Sequence, residues 1–212
     1  ELLIALAHDL SSESTIICNG IKDKEFINLA ILSLKIGFKT ILVLESPREL
    51  DLITEVSEEL NVRPLLGIRV KLTNKVSGNW SQSSGDRSAF GMSVEQVMKV
   101  ITKLKVNNYL DCLVLQHSHL GSQIPDIIEI RKATQEACRF YSEMCKEGAP
   151  LEYLDLGGGL GVDYTGEQKS SLNSINYSLE EYCINIVETV KYELDQMNID
   201  HPIIVTESGR AC

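Results

Sequence analysis

The chain has 212 residues, 43% hydrophobic and 24% charged, which is an ordinary globular composition with enough apolar content for one sizeable core. Its 20 basic and 30 acidic residues leave a net charge of −10. No basic run or aromatic-basic stripe offsets that charge, so nucleic acid and anionic membrane are excluded as partners.

Six cysteines are present, Cys18, Cys112, Cys138, Cys145, Cys183 and Cys212. None forms a Cys-x-x-Cys pair or stands at zinc-type spacing from a histidine, so all six read as reduced, mostly buried thiols of a cytosolic-type compartment. There is no signal peptide and no apolar run of membrane-spanning length. The chain opens within a helical pattern (residues 1–7) and stops just after a strand and a charged turn, which predicts a piece of a longer protein.

In chain order, short apolar runs at 15–18, 40–45, 64–70, 112–117, 151–156 and 202–207 read as strands. They are continuous rather than alternating, as expected of parallel strands buried on both faces. Helical patterns lie between them at 22–36, 47–60, 94–105, 126–147 and 179–197. Ser46 with Pro47 and Glu49, Ser93 with Gln96, and Ser178 with Glu181 are capping-box starts, while Gly37 and Gly148 stand where C-terminal caps are wanted.

This β-α alternation predicts a parallel sheet, doubly wound or closed. Chemistry-bearing residues recur after several strands: Arg69, His117 to Ser122, Asp155 to Gly161, and Glu207 to Arg210. An open sheet concentrates its site at one switch point, whereas a barrel gathers it from many strand ends, so the spread favours a barrel. The predicted fold is α/β, a TIM-type (β/α)8 barrel present as a truncated piece with about six of eight strands. Residues 71–90 break the rhythm with a polar, Ser/Gly-rich segment around Trp80, read as a functional loop over the mouth.

The most informative stretch is Leu154, Asp155, Leu156, Gly157, Gly158, Gly159, Leu160, Gly161, Val162, Asp163 and Tyr164. A glycine-rich turn after a strand leaves backbone N–H groups open to a phosphate. It is not a P-loop, because Gly-Lys-Ser/Thr is missing, and the dinucleotide pattern fails at Val162. His119-Leu120-Gly121-Ser122 and Glu207-Ser208-Gly209-Arg210 add an aromatic face, further phosphate donors and an acid to the same mouth.

Together these three motifs resemble the pyridoxal-phosphate decarboxylases of the alanine-racemase-type barrel, the ornithine, diaminopimelate and arginine decarboxylase group. Cys18-Asn19-Gly20-Ile21-Lys22-Asp23, Ser77-Gly78-Asn79-Trp80 with Ser84-Gly85, Phe90-Gly91 and Gln123 after the serine are similar to its biosynthetic arginine-decarboxylating branch.

The resemblance implies that Glu207 bonds the cofactor's pyridine nitrogen and that His119 stacks on its ring, both acting in catalysis. It places Ser122, Gly157, Gly158, Gly159, Gly209 and Arg210 on the phosphate, with Arg69 near the cofactor. Residues 154–164 take the family's substrate-binding role, with Asp155 and Asp163 as its acids.

The implied activity is decarboxylation of L-arginine to agmatine in polyamine and spermidine biosynthesis, with pyridoxal 5'-phosphate and magnesium, in a cytoplasmic homo-oligomer. A plant-like source would allow an organelle. The Schiff-base lysine and a C-terminal β-domain with a catalytic cysteine are expected outside residues 1–212; Lys22 and Lys39 stand in the wrong context, and Cys212 is not that cysteine. No magnesium ligand set is recognisable, and Ala89 replaces the lysine that relatives often carry before Phe-Gly. The competing readings are another basic or diamino acid decarboxylase of the same barrel, a non-enzymatic pyridoxal-phosphate-binding barrel, and an unrelated phosphate-binding barrel.

Overall fold

The computed structural model describes residues 1–8, 11, 13–73 and 90–209. Most of the 71–90 segment, with Trp80 and Ala89, lies outside the described residues, as do Arg210 and Cys212. A short helix α1 (Leu2–Ala7) precedes the alternating part of the chain. Then come β1 (Thr15–Cys18), α2 (Lys24–Lys35), β2 (Lys39–Leu44), α3 (Pro47–Leu60), β3 (Leu65–Arg69), α4 (Val94–Val106), β4 (Leu113–Gly121), α5 (Ile127–Lys146), β5 (Tyr153–Gly158), α6 (Leu179–Met197) and β6 (Ile203–Glu207).

Six parallel strands lie in sequence order, β1-β2-β3-β4-β5-β6. Order without reversal, with crossovers of one hand, keeps every helix on the same side of the sheet. The sheet therefore curls as an arc of a TIM-type barrel and has no doubly wound switch point.

Successive strand side chains point to opposite faces, so each strand feeds two separate cores. Leu42, Leu44, Leu66, Ile68, Leu154 and Leu156 join the large cluster under the helices. Ile41, Val43, Leu115 and Tyr153 form a smaller cluster on the concave face. Being apolar on both faces explains why these strands read as continuous runs.

The helices start where their caps predict. Ser93 and Gln96 bond reciprocally (Gln96 Oε1 accepts from the Ser93 N–H at 3.0 Å), and Ser178 and Glu181 do the same at 2.8 and 3.1 Å. Asp23 caps α2, accepting from the Phe26 N–H at 2.8 Å, so α2 begins two residues after Lys22. Gly37 and Gly148 take positive φ of 98° and 95° as expected, but α3 and α6 end on left-handed Asn61 and Asn198, each with φ of 53°. Asparagine tolerates that conformation through its short polar side chain.

The five cysteines among the described residues are free thiols, and Cys18, Cys112 and Cys138 are buried. Among the described residues no helix is long and apolar enough to cross a membrane.

Ile53 of α3 is fully buried in the helix-side core, whereas Val106 of α4 is exposed. Ile53→Ala should destabilise the protein by about 2–5 kcal/mol in denaturant unfolding, because it removes methyl groups and leaves a cavity. Val106→Ala should stay within about 0.5 kcal/mol.

Candidate active site

The concave face turns polar at the carboxyl ends of the strands. There Arg69 pairs in register with His117, His117 with Asp155, and Asp155 with Val205. One level higher, His119 pairs with Gly157 and Gly157 with Glu207. The mouth is thus assembled from four neighbouring strands, with Asn19 and Glu45 added just past the ends of β1 and β2.

Strand β4 is longer than its apolar core suggests. His119 was expected in a turn after residue 117, but β4 runs on to Gly121, so His119 is a strand residue. Its inner face points into a polar mouth, where a histidine replaces an aliphatic residue without breaking the ladder. Alternation then puts His117 on the same face, two residues earlier.

Glu207 accepts a hydrogen bond from Asn19 Nδ2 at 2.6 Å. Its pKa is raised, first by loss of water around the carboxyl and then by the Asp155 charge, with His117 and Asn19 opposing. His117 Nδ1 is 2.7 Å from Asp155 Oδ2 and 3.9 Å from Glu207 Oε1. His119 stands one level above His117 and is exposed toward the cavity. Loss of bulk water, then the positive charge of Arg69 and then His117, push its imidazole down to about 4.

Arg69 is held rather than free. Its Nη1 is 2.8 Å from Glu45 Oε1, and its guanidinium lies over the Phe90 ring at 5.3 Å. Glu45 also accepts from the N–H groups of Gly20 (2.9 Å) and Gly91 (3.1 Å). This buried acid therefore ties three strand ends together.

A cavity of ≈ 300 Å³ opens beside this floor, lined by His119, Gly121, Ser122, Gln123, Gly158, Gly159, Leu160, Glu207 and Gly209. Gly157 and Gly158, at the end of β5, have no room for a side chain. Gly158 has φ of 69°, and a Cβ there would lie 2.4 Å from the Gly121 carbonyl oxygen and 2.6 Å from His119 Cε1. A Cβ on Gly157 would strike His117 Cε1 at 2.6 Å and Glu207 Oε2 at 2.8 Å.

The loop is pinned from behind. Gln123 accepts from the Val162 N–H at 2.9 Å and donates to the Val162 carbonyl at 2.7 Å. The Tyr177 hydroxyl donates to the Ile124 carbonyl at 2.7 Å and accepts from the Gly161 N–H at 3.1 Å.

His119, Ser122, Gly158, Gly159, Glu207 and Gly209 thus meet at one cavity, as the motifs suggested. The stretch 154–164 is not one continuous contact surface. Leu154 and Leu156 are fully buried under the helices, and Asp155 is fully buried behind Gly157. Asp163 caps its own turn, accepting from the N–H groups of Gly166 and Gln168 at 2.9 and 3.0 Å. Ser174 and these amides hold its carboxyl below the usual range. Tyr164 is exposed.

The sequence reading gave no role to His117, Asn19 or Glu45, which the structure brings to this floor. Lys22 is buried, 2.6 Å from the Val43 carbonyl and 3.2 Å from Glu49. Lys39 begins β2 at the opposite end of the sheet and bonds the Tyr153 hydroxyl at 2.6 Å. Neither presents an amine to the mouth.

The chain matches the family of the pyridoxal-dependent decarboxylase, pyridoxal binding domain, over residues 1–212. It belongs to that family. It is 48% identical over 211 residues to the biosynthetic arginine decarboxylase of Prochlorococcus marinus (strain MIT 9312), covering 100% of this chain and 33% of that protein. Its fold superposes on the crystal structure of the biosynthetic arginine decarboxylase of Campylobacter jejuni with a TM-score of 0.85 and 34% identity, covering 99% of this chain and 34% of the other. Diaminopimelate decarboxylase of M. jannaschii, in co-complex with L-lysine, matches with a TM-score of 0.70 and 26% identity over 92% of this chain and 43% of its own. The chain spans about a third of the length of the arginine decarboxylases it matches.

The site fits pyridoxal phosphate. It offers a glycine cradle with no room for side chains, a serine at the same cavity, an imidazole low in charge, and an acid of raised proton affinity facing them. It does not fit magnesium in the same way. Among the described residues the one close His/Cys/Asp/Glu group is His117, His119 and Glu207, within 4.8 Å of one another. Two of those three groups are imidazoles, and magnesium takes oxygen ligands.

Two tests follow from this geometry. Gly158→Ala should weaken pyridoxal phosphate binding by at least about tenfold, the equivalent of 1.4 kcal/mol, since the new methyl must displace the backbone of Gly121 or the ring of His119. Titration of cofactor absorbance measures it. His119 should titrate near 4 by NMR, well below an ordinary histidine. Between about pH 6.5 and 4 the unfolded chain then binds a proton at this position that the folded chain does not. Stability from this group is therefore complete above about 6.5 and declines as pH falls toward 4.

Proposed function

We propose that this chain is the cofactor-binding part of an enzyme that decarboxylates L-arginine to agmatine and carbon dioxide. The observation that carries the reading is the convergence of His119, Ser122, Gly158, Gly159 and Glu207 on one cavity. The choice of arginine is supported by the named activity of relatives 48% and 34% identical to it. The wider reading, in line with the free thiols, is a cytoplasmic homo-oligomer working in polyamine biosynthesis.

In this reading Ser122, the amides of Gly158 and Gly159, and Gly209 with Arg210 hold the cofactor's phosphate. Helix-less backbone N–H groups and a serine hydroxyl suit an anion, and an arginine fork adds fixed charge. His119 stacks on the ring, and its depressed pKa keeps it neutral there. Glu207 would accept a hydrogen bond from the protonated ring nitrogen, with Asn19 fixing the carboxylate's direction. Arg69 lies at the side of the mouth and contributes positive charge while Glu45 holds it in place.

When bound, pyridoxal phosphate supplies the electron sink for the charge left by departing carbon dioxide. What the chain adds is orientation and a carboxylate that stabilises the protonated ring as that charge arrives. Within residues 154–164 the contacts at the cavity fall to Gly158, Gly159 and Leu160, because Leu154, Asp155 and Leu156 have no surface at the mouth. Lys22 and Lys39 are engaged elsewhere, so neither is placed to anchor the cofactor.

The likeness to diaminopimelate decarboxylase supports a second reading, a diamino acid substrate on the same cofactor site. Carbon dioxide release by the full-length protein from arginine, ornithine, lysine and diaminopimelate separates the two. Turnover of diaminopimelate without arginine would overturn the first.

In the full-length enzyme, Glu207→Gln should lower kcat and kcat/KM together by roughly 30- to 1000-fold, the effect of about 2–4 kcal/mol of lost electrostatic stabilisation. Pyridoxal phosphate should still bind, because the phosphate grip is untouched. Steady-state kinetics beside a cofactor-binding titration reads both.

A further inference from the structure

Behind Glu207 lies a second acid for which the site as described has no use. Asp155 is fully buried on the concave face of β5, two residues before Gly157. Its Oδ2 holds His117 Nδ1 at 2.7 Å, while its Oδ1 is buried with no hydrogen-bond partner. After loss of water, Asp155 is the neighbour that most raises the proton affinity of Glu207. Asp155 Oδ2 and Glu207 Oε1 approach the same nitrogen, His117 Nδ1, at 2.7 and 3.9 Å, so the buried and the half-exposed carboxyl are near enough to compete for one proton, and a like-charge pair relieves its repulsion by sharing one.

His117 stands between them. It is 1% exposed, bonded to Asp155 and 3.9 Å from Glu207. A ring that donates to Asp155 satisfies that acid without a shared proton. We propose that His117 is a positioning residue: by tying down Asp155 it prevents the two neighbouring acids from sharing a proton, and so keeps Glu207 turned, ionised, toward the cofactor's ring nitrogen. This rests on the reading of Glu207 as the ring-nitrogen acid.

Two of the other polar groups around this cluster have their own partners. Asn19, past β1, already bonds Glu207. Glu45, past β2, is committed to Arg69 of β3. His119 of β4 lies one level above, toward the cavity. Gly157 is part of the same device, since any side chain there would separate His117 from Glu207.

The test uses the full-length holoenzyme reconstituted with pyridoxal phosphate labelled with ¹⁵N in the ring, whose chemical shift reports protonation at that nitrogen. His117→Phe should move the shift toward the unprotonated form and lower kcat by about 10- to 100-fold, with cofactor affinity changed by less than about threefold. Asp155→Asn combined with His117→Phe should restore the protonated shift, because no second acid remains to capture Glu207. His117→Asn, which keeps a donor toward Asp155, should retain most of it. A merely structural role predicts the opposite for the double variant, a larger defect than either single change.

A wild-type shift in His117→Phe, or no recovery in the double variant, overturns the proposal while leaving Glu207 in its role. If Glu207→Gln itself fails to move the ¹⁵N shift, the Glu207 reading falls and this inference falls with it.

Discussion

Parallel register across β3 to β6 decides which side chains can meet. A strand alternates its faces with a period of two, so a slip of one residue anywhere would send Arg69, His117, Asp155 and Glu207 to the helix side and bring leucines to the mouth. The observed register instead stacks them in two levels. The slip is prevented from outside the site. Leu66, Ile68, Leu154 and Leu156 occupy the opposite face and are fully buried under the helices. Burying each such side chain is worth about 1.5–3 kcal/mol, so the hydrophobic pattern on one face fixes the polar pattern on the other.

The polar face would be unstable without its pairing. Buried charge is tolerated only when partnered, and here nearly every group has a named partner. Glu45 gathers Arg69 and the amides of Gly20 and Gly91; Glu49 gathers Lys22 and the amide of Glu45 at 2.6 Å. These two acids lock the ends of β1, β2 and β3 into one piece. The orphan oxygen of Asp155 and the raised proton affinity of Glu207 stand out against this order. Both lie where the concave face meets the cavity, and perturbed groups of this kind collect at functional sites.

Much of the arrangement was legible in the residues. Continuous β-branched runs separated by capped helical patterns give the parallel fold, and the strand-end motifs give His119, Ser122, the glycines and Glu207. What stayed hidden has physical reasons. The end of β4 was hidden because Ser118 and His119 look like turn chemistry, although a polar barrel mouth accepts such residues within a strand. The helix ends at Asn61 and Asn198 were hidden because asparagine takes the left-handed conformation less often than glycine. Asn19 and Glu45 carried a usable signal: each directly follows an apolar strand, the same position that marked Glu207 at the end of β6. His117 carried another, two residues before His119 and so on the same face. The burial of Asp155 was not readable, because an acid beside four glycines looks like part of an open loop, whereas β5 continues through Gly158 and closes over it.

The glycine stretch therefore has two functions that its motif does not separate. Gly158 and Gly159 take positive φ of 69° and 89° and open the backbone to the cavity. Gly157 is still strand, with no unusual backbone angle; it is a glycine because His117 and Glu207 fill the space its side chain would need. Replacing Gly158 attacks the cradle, while replacing Gly157 attacks the contact between the acid and the imidazole beneath it. Phosphate grip and ring-nitrogen chemistry are then physically distinct parts of one loop. The first belongs to backbone conformation, and the second to the packing of His117, Asp155 and Glu207 on the strands.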